Sequence, residues 1–147
     1  SAEHLEYADA EGIRALARAG TIAVSLPLAS LYLHERYLPA REMLDAGVKV
    51  AVATDFNPGS APSYHLPLAM TLACLNQKMT PQETLKGVTT VAAQAILAEH
   101  RIGSLLPGYN ADIAIIDAPS VNHWLYHFRA NACCGVIKSG NWEKPLT

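Results

Sequence analysis

Asp55 closes the run Val50-Ala51-Val52-Ala53-Thr54, and Phe56-Asn57-Pro58-Gly59-Ser60 follows it. A short β-branched run bounded by turn residues reads as a buried strand. A carboxylate at the carboxyl lip of such a strand is costly to desolvate unless a cation or hydrogen bonds meet it. In parallel α/β architectures that lip is where ligands and metals gather. Taken alone, Asp55 reads first as a cap for the next turn or helix. His4, in Ser1-Ala2-Glu3-His4, stands in a similar place, just before a helix start. Alone it reads as a structural hydrogen-bonder. Facing one cavity with Asp55, it completes an imidazole–carboxylate pair able to ligate a metal and carry a proton. Asn57, Gly59 and Ser60 either offer amide, hydroxyl and N–H groups to a small carboxylate or carbonyl, or form a plain turn.

The remaining polar residues suggest packing rather than chemistry. His123 and His127 form the one i,i+4 histidine pair, set among Trp124, Leu125 and Tyr126, and read as surface packing. His34, His65 and His100 sit in helical or loop contexts and look structural. Cys74, Cys133 and Cys134 are an odd set without Cys-x-x-Cys spacing, which fits neither a zinc knuckle nor a disulfide framework. They read as reduced, buried thiols of a cytosolic protein. No glycine-rich phosphate loop and no Gly-x-Ser-x-Gly elbow is present.

Several elements must position these residues. Asp9 to Gly20 has an N-cap, apolar residues at helical spacing and a terminal glycine, so it predicts a helix. Thr21–Leu28 reads as a strand, Pro39–Ala46 as a short helix stopped by Gly47, and Lys49–Thr54 as a buried strand. Leu66–Met79 predicts an apolar helix. Thr80-Pro81-Gln82-Glu83 is a capping box whose helix is expected to run to about His100. Strand, helix, strand, helix with short connections argues for parallel βαβ units. The pattern changes near residues 100–103. Beyond it, Ala111–Asp117 and Ala132–Lys138 read as strands and Ser120–Phe128 as a short aromatic helix. Residues 1–100 and 101–147 are therefore expected to belong to different domains.

With 147 residues the chain can bury one compact core. Half of it is hydrophobic and 16% charged, which excludes a disordered chain. Eleven basic and 13 acidic residues give a net charge of −2 without a basic stripe, which argues against nucleic acid as a partner. The weakly polar stretch Thr21–Leu33 is too short to span a bilayer, so no membrane contact is expected. No basic-then-apolar leader is visible, and a cytoplasmic location is expected. The chain starts at Ser1, inside a strand-terminal motif, and is expected to be a piece of a longer protein.

Taken together, Ser1-Ala2-Glu3-His4-Leu5, Ala53-Thr54-Asp55-Phe56-Asn57-Pro58-Gly59-Ser60 and Gly103-Ser104-Leu105-Leu106-Pro107-Gly108-Tyr109-Asn110-Ala111-Asp112 resemble the imidazolonepropionase family of the amidohydrolase superfamily. Val136-Ile137-Lys138-Ser139-Gly140 is similar to the family's closing strand and turn, so the likeness runs over nearly the whole chain. The Gly-Ser-Leu…Ala-Asp element marks only the superfamily, whereas the segments around His4 and Asp55 are more specific. The resemblance implies an α/β fold: the C-terminal third of a (β/α)8 TIM-type barrel, plus the C-terminal part of a small β-sandwich. It implies hydrolysis of 4-imidazolone-5-propanoate to N-formimidoyl-L-glutamate in histidine breakdown, with one zinc or iron ion per full-length subunit.

By the same resemblance Asp55 ligates the metal while its second oxygen takes a proton from water, and His4 contacts the substrate and helps move that proton. Asn57, Gly59 and Ser60 hold the substrate, so Asn57→Ala is expected to raise KM. Glu3 stands where relatives commonly carry Asp. The His-x-His of the first barrel strand, the His of the fifth and nearby Glu, Arg and Tyr substrate contacts are not in this sequence. One carboxylate cannot hold zinc against water, so the chain alone is expected to be inactive and to hold metal poorly. Its open strand edges leave room for a homodimer. Another amidohydrolase, such as a nucleobase deaminase, and a non-catalytic interaction or scaffold piece are the alternatives.

Overall fold

The computed structural model describes residues 1–128 and 131–144. Strands β1 (Ala2–Glu3), β2 (Ala23–Ser25) and β3 (Val50–Val52) form a parallel sheet in that order. The register aligns Ala2, Ala23 and Val50, and aligns Glu3, Val24 and Ala51. Crossovers join these strands, as parallel pairing demands. Helix α1 (Ala10–Ala19) connects β1 to β2. Asp9 Oδ1 accepts from Gly12 N at 2.8 Å to start it, and Gly20 ends it in the left-handed conformation at φ 65°.

The chain returns from β2 to β3 through α2 (Pro27–Leu33) and α3 (Ala40–Asp45). Here the expected strand Thr21–Leu28 is corrected: β2 stops at Ser25, and Pro27 and Leu28 belong to a helix. Pro27 lacks the N–H that a ladder needs, and its fixed φ suits a first helical turn. Helix α3 falls inside the expected Pro39–Ala46, with Gly47 past its end at φ 86°.

After β3 come α4 (Leu66–Gln77), α5 (Pro81–Gly87) and α6 (Thr90–Ala95). The Thr80–Glu83 capping box forms as expected, but its helix does not run on to His100. Val88 and Thr89 interrupt it; Thr89 has φ −124° and ψ −93°, and its Oγ1 donates to the Leu85 carbonyl at 2.7 Å. Gly87 lies against β3, where a Cβ would stand 3.1 Å from the Val50 carbonyl oxygen and 3.2 Å from Val52 Cγ2. Helix continuity yields to packing on the sheet. The buried residues of β2 and β3 form one core with Leu38, Met43, Leu72 and Met79. Ser25 Oγ donates to Gln77 Oε1 at 2.7 Å within it.

A second, antiparallel sheet contains β4 (Ile113–Ile116), β5 (Cys133–Lys138) and β6 (Asn141–Lys144). Between β4 and β5, α7 (Val121–Tyr126) turns back onto the earlier helices: Thr71 Oγ1 of α4 donates to the Leu125 carbonyl at 3.0 Å. The three cysteines are unpaired, yet they are half-buried rather than buried. Cys74 meets Thr84 Oγ1 at 3.3 Å, and partial burial pushes its thiol pKa up. Among the described residues no helix is long and apolar enough to cross a membrane.

Candidate active site

The carboxyl ends of β1 and β3 lie at one edge of the parallel sheet, with β2 between them. His4 directly follows β1, and Asp55 stands three residues past the end of β3. With neighbouring strands about 4.8 Å apart, the two strand ends are separated by about 10 Å. The structure therefore brings both residues to the same lip, where no hydrogen bond joins them directly. Both adopt left-handed backbone, at φ 66° for His4 and 54° for Asp55, and Leu5 does so at 65°. Histidine and aspartate tolerate this region better than most residues, and such strain gathers at functional sites.

His4 continues the ladder by donating its N–H to the Val24 carbonyl at 3.2 Å. Its Nδ1 lies 3.1 Å from Glu6 Oε1. The imidazole is half exposed, whereas the Glu6 side chain is only 14% exposed. A carboxylate on Nδ1 favours the tautomer that leaves Nε2 as the acceptor. Sequence reasoning missed Glu6; the available signal was a carboxylate two residues beyond a histidine at a strand end. Next to it, the Tyr7 hydroxyl donates to Glu35 Oε2, and the Arg36 guanidinium lies 5.4 Å from the Tyr7 ring centre. The hydrogen bond to the Glu35 carboxylate and its charge raise the Tyr7 pKa. The turn after β1 is thus tied to the α2–α3 connection.

Asn57 organises the other end of the lip. Its Oδ1 accepts from Gly59 N at 2.9 Å and from Ser60 N at 2.8 Å. Its Nδ2 donates to the Asp55 carbonyl at 2.6 Å, to Ser60 Oγ at 2.9 Å and to Asp55 Oδ2 at 3.3 Å. Asn57 N also donates to the Ala61 carbonyl at 3.1 Å, closing the loop. The N–H groups of Gly59 and Ser60 are thereby used inside the loop. Phe56 and Tyr64 pack edge to face above it at 5.4 Å.

Among the described residues Asp55 Oδ1 accepts no hydrogen bond, so one carboxylate oxygen is anchored and the other is open. A carboxylate with one oxygen free of hydrogen bonds suits a metal ligand, so Asp55 fits as one of the three or four protein donors that zinc takes. No group of three His, Cys, Asp or Glu side chains among the described residues is placed to hold an ion. The His123 and His127 rings stack 4.1 Å apart, and His127 Nδ1 meets the His123 carbonyl at 2.8 Å, a packing arrangement. His65 caps α4 by accepting from Leu68 N at 3.0 Å, and His34 terminates α2 in left-handed geometry.

The sequence pattern of the Amidohydrolase family matches residues 2–142. The chain is 48% identical over 141 residues to an imidazolonepropionase from Treponema denticola, covering 95% of this chain and 34% of that protein. It is 47% identical over 140 residues to an imidazolonepropionase from Fusobacterium nucleatum, with the same coverages. The chain thus spans about a third of the length of the curated relatives it matches. Its fold is similar to an adenosine deaminase from Xanthomonas campestris solved with bound zinc, at TM-score 0.90 and 22% identity, over 98% of this chain and 36% of that one. It is also similar to the atrazine chlorohydrolase TrzN from Arthrobacter aurescens, complexed with zinc and atraton, at TM-score 0.85 and 23% identity, over 98% and 36%. With its α/β fold shared by these structures and the family pattern matched along almost its whole length, the chain belongs to the amidohydrolase family.

Proposed function

We propose that the protein containing this chain hydrolyses 4-imidazolone-5-propanoate to N-formimidoyl-L-glutamate, in the cytoplasm, with one zinc or iron ion per subunit. The observation that carries this reading is the 43–48% identity to proteins named imidazolonepropionase across 95% of the chain. On this reading β1, β2 and β3 are the last three staves of a (β/α)8 barrel, and residues 101–147 belong to a composite β-sandwich domain. The remaining metal donors then come from outside this chain, which alone would be inactive. No nucleic acid or membrane enters the reading, and a homodimer is the assembly to test for.

Water adds across the ring amide: its oxygen bonds to the carbonyl carbon, the ring C–N bond breaks, and the departing nitrogen gains a proton. A bound metal ion would supply Lewis acidity and an acidified water. Asp55 is the residue of this chain that would hold it. His4, with Glu6 on Nδ1 and Nε2 left as acceptor, is suited to take a proton from the water and deliver it to the nitrogen. Asp55, whose Oδ2 accepts from Asn57 Nδ2 at 3.3 Å, would share this transfer through its second carboxylate oxygen. Gly59 and Ser60 would wall the substrate side of the loop that Asn57 holds.

The test is turnover by the full-length protein of imidazolone propionate against adenine, guanine and cytosine nucleobases. Loss of the imidazolone absorbance with no deamination supports the proposal. Deamination without imidazolone turnover overturns it. Asp55→Asn should abolish stoichiometric metal retention and turnover together.

A further inference from the structure

We propose that Asn57 is a positioning residue for Asp55: it acts on the reaction through the carboxylate it holds, and not only as part of the substrate loop. The proposal rests on the reading of Asp55 as a metal-holding carboxylate. Its basis is the number and placement of the Asn57 hydrogen bonds. An amide side chain has two donors and one acceptor oxygen with two lone pairs. In Asn57 the acceptor is spent on the backbone N–H groups of Gly59 and Ser60. The two N–H groups are shared among the Asp55 carbonyl, Asp55 Oδ2 and Ser60 Oγ.

What those bonds hold is an aspartate in left-handed backbone, a conformation that costs a non-glycine residue energy and persists only where its surroundings fix it. The 2.6 Å bond from Nδ2 to the Asp55 carbonyl pins that peptide, and the longer contact at 3.3 Å orients the carboxylate. One oxygen is thereby tethered to the loop and the other left open at the sheet edge. Without Nδ2, the Asp55 backbone is free to relax towards right-handed or extended geometry, which swings the carboxylate off the lip. Substrate contact alone predicts a KM effect; a positioning role predicts loss of metal.

The experiment uses the full-length protein and Zn2+ itself as the probe. Zinc affinity is measured by competition with a chromophoric chelator for wild type, Asn57→Ala and Asn57→Asp. Circular dichroism and the melting temperature establish that each variant is folded. Asn57→Asp keeps the acceptor for Gly59 and Ser60 and removes the donors, so the loop persists if Asn57→Ala fails to fold. The expected result is a zinc affinity reduced about 10- to 100-fold in each folded variant, as for other groups that orient a metal ligand. The drop in Asn57→Asp would come despite an added negative charge that favours the cation. Wild-type zinc affinity in either folded variant, with only KM raised, overturns the proposal and leaves Asn57 a substrate contact. A wild-type protein that holds no zinc also overturns it. One that holds zinc but fails to turn over imidazolone propionate refutes the substrate reading alone, and the zinc titration still decides the role of Asn57.

Discussion

His4 and Glu6 form a hydrogen-bonded pair at the carboxyl end of β1, with Nδ1 and Oε1 3.1 Å apart. The carboxylate is the more buried of the two and the imidazole the more exposed. Asp55 and Asn57 repeat the theme at the end of β3, two residues apart in the same order. Each lip residue is held by a neighbour encoded two positions later.

Glu6→Ala should lower kcat of the full-length protein about ten-fold with KM nearly unchanged, a part of the 10²–10⁴ that a positioned acid–base group contributes. Glu6→Gln, which keeps an acceptor near Nδ1 without the charge, should recover part of the loss. Steady-state kinetics of the two variants decide this; equal KM and kcat in wild type and Glu6→Ala would remove Glu6 from the reaction.

Stability should depend on acid through Glu83. The Arg41 guanidinium, bonded through Nη1 and Nη2 at 3.1 Å each, holds the Glu83 carboxyl below the usual carboxylate range, and the Thr80 N–H assists. The folded state therefore favours the ionised form. Its contribution is complete above the unfolded value of about 4.3 and disappears as pH falls through the lower folded value. Glu83→Gln can still serve the capping box, yet should flatten the decline in melting temperature below pH 5. Parallel pH–melting curves for the two proteins would refute the assignment.

Gly103 and Gly20 make a matched comparison. Gly103 has φ 87°, and a Cβ there would stand 2.8 Å from Ala93 Cβ and 2.8 Å from the Thr89 carbonyl oxygen. Gly20 has φ 65° with nothing within 4 Å. Gly103→Ala should cost roughly 3 kcal/mol, combining backbone strain with overpacking. Gly20→Ala should cost about 1 kcal/mol from strain alone. Urea denaturation read at constant slope provides both values.

Met43 of α3 is fully buried in the core beside β3. Met43→Ala should destabilise the protein by roughly 2–5 kcal/mol, the range for emptying such a position. A shift in the urea midpoint equivalent to less than 1 kcal/mol would mean that the surrounding helices collapse into the space.

The sequence by itself determined what depends on neighbours a few residues apart. Asp9 with Gly12 and Thr80 with Glu83 form the caps that their spacing implies, because a cap is made within one helical turn. The buried run before Asp55 and the βαβ alternation were legible for the same reason, and so were His4 and Asp55 as residues at strand ends. Tertiary structure decided where packing overrides local preference. The strand expected through Leu28 ends at Ser25 because Pro27 opens a helix, and the helix expected to reach His100 breaks at Val88–Thr89 beside the sheet. Cys74, Cys133 and Cys134 stay half-buried because burial is set by which faces meet, not by residue type. The hydrogen bonds between Glu6 and His4 and from Asn57 to Asp55 came only from the fold, since each accompanies a left-handed turn at His4 or Asp55.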